Sequence, residues 1–131
     1  MIFVDSNIPM YLVGVDHPNK EIARSALERL AIAAEPMVTD AEVFQEILHR
    51  YVALHRHDAI DPAFETLLEL VDDVAAVTRD DALRARQLVT GATRISARDA
   101  IHVAVMERLK IDRILTFDRG FDAVPGIRRE T

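Results

Sequence analysis

Short apolar segments alternate with longer amphipathic segments along the chain. The apolar segments cover residues 2–5, 37–39, 74–78, 113–117 and 127–128, and each predicts a β-strand. Between them, apolar positions recur at the three- and four-residue spacing of helices, which predicts one helix with Pro9 in its first turn and others over residues 19–34, 40–55, 61–71, 79–89 and 96–109. Strands that alternate with helices are typical of an α/β fold, with a parallel sheet covered on both faces. The length of 131 residues predicts one domain over residues 1–131.

Capping patterns predict where two of these helices begin. Thr39-Asp40-Ala41-Glu42 and Ser96-Ala97-Arg98-Asp99 both have the spacing of a capping box, in which a hydroxyl and an acid three residues later bind each other's backbone amides. Gly91 and Thr93 are expected to end the preceding helix. The two helices between the second and third strands predict an additional antiparallel helical hairpin.

Composition narrows the class of protein. Half of the residues are hydrophobic and 29% are charged, which is ordinary for a globular domain. There is no cysteine, so disulfides and thiolate metal sites are excluded. No apolar run approaches the length that spans a bilayer, and the N-terminus lacks the basic region of a signal peptide. We therefore expect no membrane association and a cytoplasmic location.

The charge balance bears on nucleic-acid binding in two ways. The net charge of −6 and the pI near 5.3 lack the general basic character of nucleic-acid binders. Acids that are concentrated in one cleft would nevertheless lower the net charge while basic residues elsewhere contact phosphates. Of the 16 basic residues 14 are arginine, the type suited to bidentate phosphate contacts, although a genome-wide composition bias would give the same excess.

Two acids directly follow apolar strands. Asp5 ends the run Ile2-Phe3-Val4, and Asp118 follows Ile114-Leu115-Thr116-Phe117. Open parallel sheets build their sites at the carboxyl ends of the strands, so both side chains are expected at the same edge. The alternative for each is a local role in a turn or a helix cap, which is common for aspartate.

A third acid, Glu46, lies within a predicted helix that is apolar over much of its circumference. A carboxylate near a buried helix face requires a partner or a metal ion. The alternative is an exposed pair with Arg50 at the favourable four-residue spacing. Glu42, one turn earlier, competes for the same role, but the capping box accounts for it, and we therefore favour Glu46.

A fourth acid, Asp99, occupies the acidic position of the second capping box, which by itself would explain it. A carboxylate in that position still has free lone pairs that would bind a cation. His102, one turn later, is expected to orient Asp99. Four of the five histidines, at positions 49, 55, 57 and 102, lack the spacing of a zinc site, so the expected ligand set is all carboxylate. Such hard oxygen ligands favour Mg²⁺ or Mn²⁺.

The order of these motifs resembles the PIN-domain ribonucleases, and among them the VapC-type toxins of bacterial toxin–antitoxin pairs. The resemblance extends over essentially the whole chain. It is carried by Phe3-Val4-Asp5-Ser6-Asn7, Glu46-Ile47, Ser96-Ala97-Arg98-Asp99-Ala100-Ile101-His102 and Leu115-Thr116-Phe117-Asp118. It implies an α/β/α sandwich around a mainly parallel sheet, and Mg²⁺- or Mn²⁺-dependent hydrolysis of RNA phosphodiester bonds.

The resemblance also implies roles and partners. The catalytic and metal-binding residues would be Asp5, Glu46, Asp99 and Asp118. Supporting residues would be Ser6, Asn7, Thr116 and, as an outer residue, Asp122. The expected partners are an RNA substrate, a cognate antitoxin protein and a second copy of the chain. A PIN-domain nuclease of RNA maturation or turnover without an antitoxin, and a non-catalytic binding module with the same fold, remain alternatives.

Overall fold

The computed structural model describes residues 1–92 and 94–131, so the predicted helix-ending role of Thr93 lies outside the described part. The strands are β1 (Ile2–Val4), β2 (Met37–Asp40), β3 (Asp73–Ala75), β4 (Arg113–Leu115) and β5 (Arg128–Glu130). The helices are α1 (Asn7–Val13), α2 (Pro18–Ile32), α3 (Ala41–Ala53), α4 (Ile60–Leu70), α5 (Arg79–Thr90) and α6 (Ala97–Leu109). Short 3-10 turns cover His57–Ala59 and Arg119–Ala123.

The five strands form one parallel sheet with the order β3-β2-β1-β4-β5. The central strand β1 pairs with β2 through Phe3 and Val38, and with β4 through Phe3 and Ile114. Residues 2–4 are fully buried, which is why this strand is continuously apolar rather than alternating. The parallel sheet places the carboxyl ends of β1, β2 and β4 side by side. The predicted α/β/α class is confirmed.

The six helices pack around this sheet. Helix α5 packs mainly on α6, while α1 packs on α2 and α4. Helices α3 and α4 form the predicted hairpin between β2 and β3, joined at one point by an edge-to-face contact between Phe44 and Phe64, whose ring centroids are 4.8 Å apart. Within the described residues, no helix is both long and apolar enough to cross a membrane.

The first predicted capping box is wrong. The N-cap of α3 is Asp40, whose Oδ1 accepts a hydrogen bond from the Val43 backbone amide at 3.0 Å. Thr39 is still part of β2, and its hydroxyl donates to the carbonyl oxygen of Val4 at 2.8 Å. The strand therefore extends one residue further than predicted, because Thr39 forms a cross-strand bond with β1 instead of capping the helix. Glu42 consequently has no capping role.

Candidate functional site

The carboxylate of Asp5 is held at the end of β1 by the neighbouring strand β4. The backbone amide of Asp5 donates to the Leu115 carbonyl at 3.1 Å, which continues the β1–β4 ladder by one residue. Thr116 is therefore next to Asp5, and its hydroxyl donates to Asp5 Oδ2 at 2.6 Å. The Ser6 backbone amide donates to Oδ1 at 2.7 Å. With both oxygens bonded and only 4% of the residue exposed, Asp5 has a fixed orientation.

Asn7, the first residue of α1, ties the loops after β1 and β4 together. Its side-chain amide donates to Thr116 Oγ1 at 3.0 Å and to Asp5 Oδ2 at 3.3 Å. Its Oδ1 accepts from the Phe117 backbone amide at 3.2 Å. The same Thr116 oxygen accepts from the Asp118 amide at 3.0 Å. The structure thus brings three of the predicted supporting residues, Ser6, Asn7 and Thr116, into direct contact with the acids.

Glu46 points from α3 towards the same strand ends. Its Oε2 accepts a hydrogen bond from the Ser6 hydroxyl at 2.7 Å, and its Oε1 lies 2.6 Å from Nε2 of His102. The alternative pair with Arg50 is therefore not formed. Burial raises the pKa of Glu46, but the bonds from His102 and Ser6 outweigh burial and the pKa is lowered overall. Glu46 is accordingly an anchored, ionised carboxylate.

His102 lies between two carboxylates and is fully buried. Its Nδ1 is 2.8 Å from Oδ2 of Asp40, and its Nε2 contacts Glu46. Burial lowers the pKa of the imidazole, but the two carboxylates raise it well above its usual range. The expectation that His102 orients Asp99 is therefore wrong, because both ring nitrogens are bonded to other acids.

Asp40 is the site residue that the sequence reasoning missed. It lies at the carboxyl end of β2, two residues past the register pair Phe3–Val38, and therefore beside Asp5. A signal was available, because Asp40 follows the apolar segment Met37-Val38-Thr39 just as Asp5 and Asp118 follow theirs. The incorrect capping box placed Asp40 inside the helix and concealed this parallel.

Asp99 and Asp118 complete the acidic group from α6 and from the loop after β4. Ser96 caps α6 as predicted, accepting from the Asp99 amide at 3.1 Å. The reciprocal bond from the Ser96 amide to the Asp99 carboxylate does not occur among the described hydrogen bonds, so that carboxylate faces the cleft. Asp118 caps the following 3-10 turn through a bond from the Gly120 amide at 2.8 Å.

Asp5, Glu46, Asp99 and Asp118 line one cleft of about 310 Å³, together with Ser96 and Arg98. The pKa of Asp99 is raised to about 7, first by burial and then by repulsion from Asp118 and Asp5. A bound cation would relieve that repulsion. Three ligand atoms, one each from Asp5, Glu46 and His102, lie within 4.8 Å of one another. Because His102 already bonds two carboxylates, the available donors are oxygens, and this donor set fits Mg²⁺ or Mn²⁺.

Two further acids stand apart from this group. Asp122 binds Arg129, with N–O distances of 3.0 and 3.3 Å, and does not line the cleft. Glu42 is half-buried, and its pKa is raised by burial and by the charge of Glu46 one turn away. Glu42 therefore lies near the acids, but it too is absent from the cleft lining.

Comparison with known proteins agrees with this geometry. Residues 2–127 match the family described as PIN domain. The chain is 53% identical over 129 residues to ribonuclease VapC13 of Mycobacterium tuberculosis, covering 98% of each chain. The crystal structure of M. tuberculosis VapC20, described as a sarcin-ricin loop cleaving toxin, is 29% identical, with a TM-score of 0.76 and 95% of each chain covered.

A more distant structure shares the fold alone. It is a toxin–antitoxin complex from Klebsiella pneumoniae, which is 19% identical, with a TM-score of 0.69 over 98% of this chain and 96% of the other. The family match spans nearly the whole chain, and a relative is 53% identical over 98% of it. The chain therefore belongs to the PIN domain family.

Proposed function

We propose that this protein is an endoribonuclease that hydrolyses RNA phosphodiester bonds with the help of a divalent cation, and that it is the toxin of a toxin–antitoxin pair. One observation carries the proposal: four carboxylates from β1, α3, α6 and the β4 loop line a single cleft. The relatives support it, since the chain is 53% identical to a protein named as a VapC ribonuclease. All four acids are present, which disfavours a non-catalytic module.

In this mechanism, the cation would be held by Asp5, Asp99 and Asp118, with Glu46 as a further ligand or as the group that orients the attacking water. The cation, Mg²⁺ or Mn²⁺, would neutralise charge on the phosphate and lower the pKa of a bound water. The chain's own bonds prepare the ligands in advance. Thr116 and Asn7 hold Asp5, and Ser6 fixes Glu46, so little reorganisation is needed when substrate binds.

The proposal is tested by comparing matched carboxylate-to-amide variants on purified protein. Asp5→Asn and Asp99→Asn should reduce Mn²⁺-dependent RNA cleavage by about 100-fold or more, because each removes a charged ligand of the cleft. Asp122→Asn is the matched control, since Asp122 pairs with Arg129 outside the cleft and its loss should leave cleavage within about twofold. Wild-type rates in the first two variants would reject the acid cluster as the active site.

For the antitoxin, we propose a segment that brings a basic side chain into the acidic cleft. Charge complementarity supports this, since four acids line the cleft and, among the residues that the structure describes, Arg98 alone in its lining is basic. Co-expression with the product of an adjacent small open reading frame should yield a stable complex and relieve growth arrest. Retention of full cleavage activity by the purified complex would contradict this role and would favour an RNA-processing enzyme that works without an antitoxin.

For the oligomeric state and location, we propose a homodimer in the cytoplasm. Leu48 and Val52 lie one turn apart on α3 and are 41% and 49% exposed. A second copy of the chain would cover this apolar surface and remove it from water. Light scattering should give twice the chain mass for the wild type and a monomer for Val52→Glu. Cell fractionation should recover the protein in the soluble fraction and not in the membrane fraction.

A further inference from the structure

A second and larger cavity lies next to the acidic cleft. Its volume is about 620 Å³, and its walls are α1, the α1–α2 loop, the end of α3 and the segment that follows α3. Asn7 lines this cavity while its side-chain amide bonds Asp5. Arg50, which also lines the cavity, follows Glu46 by one helical turn. The cavity therefore begins one side chain away from the acids, and a ligand that spans both would pass Asn7.

The walls of this cavity carry aromatic rings. Tyr11 and His17 lie with ring centroids 5.0 Å apart, and Tyr11 is supported from another side by the edge of Phe117 at 5.1 Å. Tyr51 also lines the cavity, but it is buried, so Tyr11 and His17 are the rings available to a ligand. His17 Nδ1 accepts from the Asn19 amide at 3.0 Å, so a neutral His17 carries its proton on Nε2. Rings that are already fixed by neighbours offer planar surfaces to a flat ligand at low entropic cost.

The same cavity is cationic in a chain whose net charge is −6. Arg50 is exposed and forms no hydrogen bond or ion pair among the described residues. Arg56 also lines the cavity, where it pairs with the exposed Asp58 through two bonds of 3.0 and 3.1 Å. Planar rings beside arginines are the chemistry that recognises an unpaired base and its phosphate.

We propose that this cavity binds the nucleotide adjoining the cleaved phosphate of a single-stranded RNA, with the base on Tyr11 and His17 and the phosphate at Arg50. The inference rests on the proposed ribonuclease function and adds a substrate subsite to it. A basic protein segment is disfavoured as the occupant, because two arginines line the cavity. The volume lies within the range of pockets that enclose small ligands of this size.

The test measures RNA affinity in the cleavage-deficient Asp99→Asn background, by fluorescence anisotropy with short fluorescein-labelled single-stranded oligoribonucleotides of mixed sequence. Tyr11→Leu should weaken binding roughly 5- to 150-fold, the range found when one stacking ring is removed, whereas Tyr11→Phe keeps the ring and should retain affinity. The same Tyr11→Leu substitution in the wild-type background should raise KM more than it lowers kcat.

Arg50 is tested through salt dependence, and its exposed position ensures that the variants fold. Arg50→Gln should reduce the slope of log affinity against log salt by about 0.7, the value for one lost phosphate contact on a single strand. Arg50→Lys should preserve the slope, since lysine retains the point charge. Arg86→Gln, an exposed arginine on α5 that lines neither cavity, is the matched control and should behave as its parent.

The outcomes separate this inference from the proposed function. If wild-type protein neither cleaves nor binds RNA, both fail together. If wild type cleaves RNA but Tyr11→Leu and Arg50→Gln leave affinity, KM and salt slope unchanged, the subsite alone is overturned. The subsite is also overturned if these variants lose affinity for the antitoxin while RNA binding is unaffected, because the cavity is then a protein-docking surface. Weaker RNA binding with a reduced salt slope supports it.

Discussion

Replacing Asp40 tests the buried chain of bonds that holds Glu46. Asp40 has two structural roles. Its Oδ1 caps α3 by accepting from the Val43 amide, and its Oδ2 bonds Nδ1 of His102. Asp40→Ala removes both. Loss of the cap costs about 1 kcal/mol. Loss of one partner of a buried charged pair costs about 3 to 5 kcal/mol. We expect Asp40→Ala to lower the free energy of unfolding by about 4 to 6 kcal/mol.

Asp40→Asn separates the helix cap from the bond to His102. Asparagine caps helices as well as aspartate does, so the bond to Val43 is retained. The NH₂ group of asparagine would then face Nδ1 of His102 and would donate to it only when the ring is neutral, so the charged bond is lost, and the expected loss is about 1 to 2 kcal/mol. Urea unfolding at neutral pH measures both variants. Thr78→Ala is the reference for a cap alone, since Thr78 caps α5 by accepting from the Asp81 amide at 3.1 Å, and it should cost about 1 kcal/mol.

The reasoning is refuted if Asp40→Ala costs no more than Thr78→Ala, because the bond between Asp40 and His102 would then contribute nothing. Equal losses for Asp40→Ala and Asp40→Asn would refute it in another way, by assigning all of the effect to charge and none to the cap. RNA cleavage adds an independent measurement. Asp40→Asn should lower kcat with little change in KM, because Asp40 acts on Glu46 through His102 and is not in the cleft lining.

Further outcomes follow from other contacts. Gly120→Ala should slow cleavage about threefold or more at nearly unchanged stability, because a Cβ there would lie 3.0 Å from Asp118 Oδ1 and shift that carboxylate slightly; full activity would contradict this. Burial raises the pKa of Asp81, but bonds from Arg108 and the helix cap outweigh it and lower the pKa overall. The stabilisation is therefore complete above the unfolded pKa of about 3.9 and lost as pH falls through the lower folded value, so Asp81→Asn should flatten the acid side of the stability profile. Mn²⁺ at about 100 times its Kd should stabilise wild type by about 2.7 kcal/mol in thermal unfolding, and Asp5→Asn much less. One domain over residues 1–131 requires a single urea transition seen equally by fluorescence and circular dichroism.

Element type and order were predictable because their signals are local. The strand residues Ile2, Phe3 and Val4 read as a buried strand from their unbroken apolar character, and the structure places them at 0% exposure. The boundaries were less predictable. The local pattern predicts that Thr39 caps a helix, whereas in the structure its hydroxyl donates a hydrogen bond to the Val4 carbonyl of β1. Whether Thr39 caps a helix or bonds the neighbouring strand depends on Val4, which lies 35 residues away. A four-residue capping pattern contains no information about that partner.

The candidate site divides along the same line. The sequence by itself determined that Asp5 and Asp118 follow apolar strands, and that Ser96 caps the helix bearing Asp99, because each of these depends on residues within a few positions. Only the tertiary structure decided what the carboxylates bind.

Three examples show the dependence on packing. His102 bonds Asp40 and Glu46, which lie 62 and 56 residues away in the sequence. The Asp99 carboxylate does not form the reciprocal cap bond among the described hydrogen bonds. Asp122 forms a salt bridge with Arg129. The physical reason is that a carboxylate's partner is set by which oxygens and donors the packed sheet brings within about 3 Å. That distance is fixed by strand order and helix placement, which the whole chain determines together.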